Sequence, residues 1–216
     1  MYLVNTRPDI CYVVNVLSQF MCKPKQTHLV AAKHILRYLS GTIGYGLKYS
    51  KTELNLKGYT YSDWAGNLEN RKSTSGCCFT LGSAMISWFS RKQSSVAQSS
   101  TEAEYIAASM GAREVVWLRK LLFGLFGKPL PPTTIYNHSC IKLSLNLMFH
   151  NRSKHIEIPY HYVQDMVEKN VIKLEYISTE DQIVDILTKP LAKPKVELFR
   201  KELGMIVKSE DMSQRN

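Results

Sequence analysis

Gly58-Tyr59-Thr60-Tyr61-Ser62-Asp63-Trp64-Ala65-Gly66-Asn67, followed by Arg71-Lys72-Ser73-Thr74-Ser75-Gly76, is the stretch from which the fold is read. Aromatic residues alternate with small polar ones up to Asp63, and Gly66 and Gly76 punctuate the segment beyond it. A strand over Leu56 to Tyr61 therefore gives way to a turn and carries one carboxylate at its end. The same period of two recurs over Leu47 to Tyr49, Cys77 to Leu81, Met85 to Phe89 and Ser94 to Ala97, which predicts an antiparallel meander.

Downstream, Tyr105, Ala108, Val115, Leu118, Leu122 and Leu125 fall at helical spacing and predict one long helix from about Thr101 to Phe126. Gly127 closes it ahead of Pro129, Pro131 and Pro132. A strand at Thr133 to Tyr136, helices at Ser139 to Leu147 and His161 to Lys169, a strand at Val171 to Ile177 and a helix at Glu180 to Leu187 complete the body. Upstream, Ile10, Val13, Val14 and Leu17 follow Pro8 at helical spacing. A second helix from about Thr27 carries Leu29, Ala32, Ile35, Leu36 and Leu39 as far as Gly41. The order is α+β with a mixed sheet, preceded by a short helical arm.

The chain has 216 residues, with 28 Lys and Arg against 18 Asp and Glu, a formal charge of +10. Residues 1–60 hold eight of the basic groups against only Asp9 and Glu53, so most of the excess lies there. That balance favours a polyanionic partner such as nucleic acid. The five cysteines are odd in number and form no Cys-x-x-Cys, which fits a reducing compartment rather than a disulfide framework. The first residues contain no apolar signal region, and no apolar run approaches the ~20 residues of a membrane span. The expected location is intracellular, cytoplasmic or nuclear.

Arg71 to Gly76, Ser100-Thr101-Glu102-Ala103-Glu104-Tyr105, Lys154-His155-Ile156-Glu157-Ile158 and Asp185-Ile186-Leu187-Thr188-Lys189-Pro190-Leu191 occur here in that order. Together they resemble the ribonuclease H domain of copia-type LTR retrotransposon Pol polyproteins. Thr6-Arg7-Pro8-Asp9-Ile10 and Ala32 to Thr42 resemble the end of the reverse-transcriptase region that precedes it. The resemblance implies a ribonuclease H-like five-stranded mixed sheet with flanking helices. It further implies residues 1–50 as the reverse-transcriptase segment, 51–192 as the ribonuclease H-like domain, and 193–216 as a C-terminal helix and polar tail. The arm is expected to be an appendage whose apolar stripes would pack on polymerase elements. The implied partners are an RNA:DNA hybrid or RNA and the reverse-transcriptase region of the parent polyprotein, with no membrane.

The activity implied is hydrolysis of the RNA strand with two Mg²⁺ ions, which demands several carboxylates because hard cations held close together need oxygen ligands. Glu104 and Asp185 match two of the four positions that the family uses, and Asp63 is the nearest acid to a third. From local sequence alone Glu104 reads equally as the partner of Thr101 in a capping box, and Asp185 as a solvated helix residue. The family carries Asp-x-Asp-Trp-Ala-Gly where this chain has Tyr61-Ser62-Asp63-Trp64-Ala65-Gly66, so the acid in register with the metal is replaced by Tyr61. Asp63 shares its face but lies ~6.6 Å further along. The fourth position falls in Ile135-Tyr136-Asn137-His138-Ser139, which is two residues shorter than the family pattern and has no acid. Mg²⁺ binding is accordingly expected to be weak or absent and catalysis impaired, the alternatives being a non-catalytic nucleic-acid-binding module or an inactive genomic remnant. His150, His155 and His161 read as surface or capping residues, Trp64, Trp88 and Trp117 as core, and Arg71, Lys72, Arg91 and Lys92 as a basic rim able to track phosphates.

Overall fold

The computed structural model describes residues 2–67, 69–138 and 154–208, with side chains left out for 154–157. Five strands form one mixed sheet: β2 (Leu56–Ser62), β3 (Thr74–Leu81), β4 (Ala84–Lys92), β5 (Thr133–Asn137) and β6 (Ile172–Tyr176), in the order β4-β3-β2-β5-β6. The first three are antiparallel neighbours, whereas β5 runs parallel to β2 and β6 parallel to β5. Parallel neighbours need long crossovers, and helices α3 (Ser100–Phe126) and α4 (Lys154–Glu168) supply them. This is the ribonuclease H-like sheet implied by the motifs.

The pleat of β2 decides what lies on each face. Leu56 joins Cys77, Phe79, Ile135 and the α3 stripe Ala108, Ala112, Val115, Leu118 and Leu122 in one core. Tyr59 and Tyr61 sit on the opposite face with Cys78 and Met85. There they meet a 3-10 turn (Ile183–Leu187) and helix α5 (Lys193–Glu202). Two glycines set the spacing of these layers. A Cβ at Gly111 would lie 2.5 Å from Thr60 Cγ2, so α3 rides close over β2; one at Gly76 would lie 2.6 Å from both Val184 and Thr188. The 3-10 turn therefore presses on the sheet directly opposite Tyr61, whose cross-strand partner is Gly76.

The helical arm, α1 (Cys11–Ser18) and α2 (Gln26–Ser40), is bonded into the body rather than hanging from it. Arg7 is buried and forks onto Asp9 through Nε and Nη2 at 2.9 and 2.8 Å, while its Nη1 reaches Thr42 O at 3.0 Å. Tyr38 donates to the same carboxylate and accepts from Arg200 of α5. The Arg-Pro-Asp motif is thus a buried tie between both flanks of the chain. A second tie is the two-stranded sheet of β1 (Tyr45–Leu47) and β7 (Met205–Val207). A cavity of about 660 Å³ remains between α1, α2 and residues 186–191, and α2 buries none of its residues.

Several expectations are corrected. Residues 94–97 are loop, because β4 ends at Lys92 and the chain turns toward the cap of α3. Residues 180–187 form no α-helix but the 3-10 turn, all five of whose residues are buried. The helix expected at His161 begins at Lys154 and accommodates Pro159. Beyond residue 192 the chain adds β7 after its helix. Trp64 and Trp117 are more than half exposed, and Trp88 is half-buried with its Nε1 donating to Val4 O. The helix expected at Ser139 to Leu147, Cys140 and His150 lie outside the described residues.

Gly76→Ala should cost about 1–3 kcal/mol, because neither the sheet nor the turn has room to retreat; denaturant unfolding measures it, and a loss below a few tenths would contradict the packing. Burial also pushes the Tyr59 and Tyr105 phenols up to about 12. Raised folded-state values mean that this contribution is intact below pH 10 and is lost as pH rises through about 12. Tyr59→Phe should flatten the alkaline unfolding profile followed by tyrosinate absorbance.

Candidate functional site

The site lies where β2 ends, between the N-terminus of α3 and the 3-10 turn. Helix α3 starts with Ser99 as its cap: Ser99 Oγ accepts from Glu102 N at 3.1 Å, and Glu102 Oε2 accepts from Gln98 N at 2.7 Å. The capping pair is therefore Ser99 with Glu102, two residues ahead of the Thr101–Glu104 pair that local sequence suggests. Glu104 is not the capping residue and stands buried on the turn after it. Trp64 Nε1 donates to Ala97 O and secures the loop after β2 against the segment leading into α3.

The start of α3 is pinned by Gln93, a buried residue just beyond β4 that motif reading missed. Its Nε2 lies 3.1 Å from Ser62 Oγ, 2.8 Å from Ser75 Oγ and 2.9 Å from Ala103 O, so one amide joins β2, β3 and the residue beside Glu104. On the other face, Gln182 Nε2 donates to Thr60 O at 3.2 Å and fixes the entry to the 3-10 turn that carries Asp185.

Burial raises the Tyr61 phenol above the ordinary value; Lys189 opposes the rise, and Asp185, Glu104 and Asp63 add to it. Asp185 is fully buried, and its Oδ2 lies 2.8 Å from Lys189 Nζ and 3.7 Å from Lys195 Nζ. The Lys189 contact is an ion pair without hydrogen-bond alignment, since both carboxylate oxygens lack a hydrogen-bond partner among the described residues. Lys189 Nζ also stands 5.1 Å from the centre of the Tyr61 ring. Asp63 is committed elsewhere: its Oδ1 accepts from the Thr74 amide and its own amide donates to Thr74 O, bracing the loop between β2 and β3. Burial raises the Asp63 carboxyl above the usual carboxylate range, with the Thr74 amide and Lys189 pulling the other way.

The short segment after Tyr136 contributes no acid. Asn137 is buried at the end of β5 and donates from Nδ2 to Thr60 O and Oγ1 at 3.3 and 3.1 Å. His138 lies 3.3 Å from Ile177 O through Nδ1 and tilts against Tyr176. Among the described residues no three His, Cys, Asp or Glu side chains come together to hold a metal. Asp185 already faces an ammonium and Asp63 is bonded to the Thr74 amide, so the described residues do not fit a two-Mg²⁺ centre.

The basic rim lies at the same end of the sheet. The β3–β4 register sets Ser75 opposite Arg91 and Thr74 opposite Lys92, beside Asp63. Arg71 is exposed, Lys72 donates to Ser94 O, Lys92 donates to Gln19, and Arg91 stacks on Phe89. No described helix is long and apolar enough to cross a membrane.

No family model matches the chain. It is 44% identical over 207 residues to the retrovirus-related Pol polyprotein of transposon TNT 1-94 from Nicotiana tabacum, covering 94% of this chain and 15% of that protein. It is 42% identical over 207 residues to the corresponding polyprotein of transposon RE1 from Arabidopsis thaliana, covering 94% and 14%. The N-terminal ribonuclease H domain of a Mycobacterium tuberculosis protein overlays on 69% of this chain and 98% of its own, at 10% identity and a TM-score of 0.46.

If Asn137 is a structural donor rather than a displaced ligand, Asn137→Asp should leave the buried Thr60 carbonyl facing a carboxylate. The expected loss is about 1–3 kcal/mol in denaturant unfolding, with no gain of Mn²⁺ binding by titration calorimetry. A stable variant that takes up Mn²⁺ would show that position 137 belongs to the metal site.

Proposed function

The chain belongs to the copia-type retrotransposon Pol polyproteins, of which it spans a small part, and from that premise we propose that it holds RNA:DNA hybrid on its basic end without cutting it efficiently. The observation that carries this reading is Lys189, whose ammonium lies 2.8 Å from the Asp185 carboxylate and 5.1 Å from the centre of the Tyr61 ring. Hydrolysis of a phosphodiester by two metals needs one ion to activate water and another to stabilise the leaving oxygen. Neither task has a ligand set among the residues gathered around Tyr61.

Hybrid binding needs less. Phosphates are met by Lys and Arg, and the contact is driven by the counterions it releases, so it survives the loss of a carboxylate. Arg71 and Arg91, together with the formal +10 of the whole chain, support a backbone-tracking surface beside Asp63. A reverse-transcriptase region elsewhere in the parent polyprotein would deliver such a hybrid to it.

Fluorescence anisotropy with a labelled hybrid should show binding that weakens steeply with salt, while gel assays in Mg²⁺ or Mn²⁺ show cleavage near background. Arg71→Ala with Arg91→Ala should lower affinity at every sequence and reduce the salt slope by about 2. Tyr61→Asp alone should not restore turnover, because Lys189 remains on Asp185. Vigorous Mg²⁺-dependent cutting by the unaltered chain, abolished by Glu104→Gln, would overturn the proposal.

A further inference from the structure

Asp185 poses a charge problem that the fold has to solve whether or not the chain meets nucleic acid. A carboxylate with no exposed surface is costly unless a cation faces it. The backbone provides that cation from four residues away: Thr188 N and Lys189 N both bond Asp185 O at 3.1 Å, which curls the end of the 3-10 turn back over the acid. The Lys189 ammonium arrives 2.8 Å from Asp185 Oδ2. Lys195, at 3.7 Å from the same oxygen, also lies 3.9 Å from Glu180, so it is shared and more distant.

Tyr61 completes the arrangement. The face of an aromatic ring carries partial negative charge and suits one ammonium, and the ring centre lies 5.1 Å from Lys189 Nζ. An Asp at this position would place a second full charge on the same cation and require more positive charge than one lysine brings. Tyrosine reduces that demand to what a monovalent group satisfies.

We propose that Lys189 is the resident cation of this site: seated between the Asp185 carboxylate and the Tyr61 ring, it takes the place of a divalent ion and makes the folded state independent of metal. Asp185 then serves here as the internal counter-ion of Lys189. The inference rests on the reading of the site as non-cleaving, but its test uses no nucleic acid, so that failure of the one is distinguishable from failure of the other.

The experiment is thermal unfolding of the full chain with chelator and with millimolar Mn²⁺, paired with Mn²⁺ titration calorimetry. For the unaltered chain the two unfolding midpoints should agree and no Mn²⁺ should bind. Lys189→Met should lower the midpoint by about 10 °C and regain several degrees when Mn²⁺ is added, because the abandoned carboxylate now recruits an ion. Lys189→Arg should keep the midpoint and still refuse Mn²⁺. The double variant Asp185→Asn with Lys189→Met should recover most of the loss, since a neutral amide needs no counter-ion. If Lys189→Met does not fold, a folded double variant supports the proposal and an unfolded one overturns it. Mn²⁺ binding to the unaltered chain that vanishes in Asp185→Asn, or a Lys189→Met chain as stable as the original, would also overturn it.

Discussion

The carbonyl of Thr60 is the group on which the arrangement of the site depends. The parallel register between β2 and β5 runs from Lys57 with Thr134 to Tyr59 with Tyr136 and stops there. One residue further, the buried oxygen of Thr60 is met by two side-chain amides, Asn137 from the end of β5 and Gln182 from the entry to the 3-10 turn. A buried carbonyl must be satisfied, and the cost of leaving it bare exceeds the net gain from an ordinary hydrogen bond. Because Gln182 answers that demand, the turn behind it is held to the sheet, and Asp185 is held beside Tyr61.

The opposite face is governed by the same logic with a different amide. Gln93 stands among Ser62, Ser75 and the carbonyl of Ala103, so the first turn of α3 keeps its height over the sheet. Gly111 and Gly76 then allow the two layers to close to distances that a methyl group would forbid. Glu104 and Asp185 are thereby carried into one region by residues that bear no charge themselves. This placement has an electrostatic consequence: Asp185 is held out of water, and the cation that faces it comes from the end of the same 3-10 turn.

Much of this was legible in the sequence, unevenly so. The alternation of β2, the long apolar stripe of α3 and its stop at Gly127, which has a left-handed φ of 65°, are local signals and survive in the structure. So does the five-stranded mixed sheet that the motifs imply. The 3-10 turn was missed because five consecutive buried residues carry no period, and Pro190 reads as the end of any helix. The cap of α3 was misplaced because Ser99, Ser100 and Thr101 all have the chemistry of a cap, and only the fold selects Ser99. The sequence shows at Asn137 only the lack of an acid, because its bond to Thr60 crosses 77 residues. The Arg7–Asp9 pair was visible as a motif, but its reach to Tyr38, Thr42 and Arg200 depends on chain reversal that no local pattern encodes.

Loss of a metal ligand is not a neutral event for the residues that remain. In a two-metal site the ions provide the positive charge that permits several carboxylates to be buried together. Remove one ligand and the ions bind less tightly, and the surviving buried acids become a cost to folding at neutral pH. Such a chain must protonate its acids, expose them or find an internal cation. Asp63 is only partly buried and is stabilised by a backbone amide, whereas Asp185 has no exposure and, among the described residues, no amide bonded to its carboxylate. It is therefore Asp185 that requires the lysine, and Tyr61 gives this lysine a second surface to rest on.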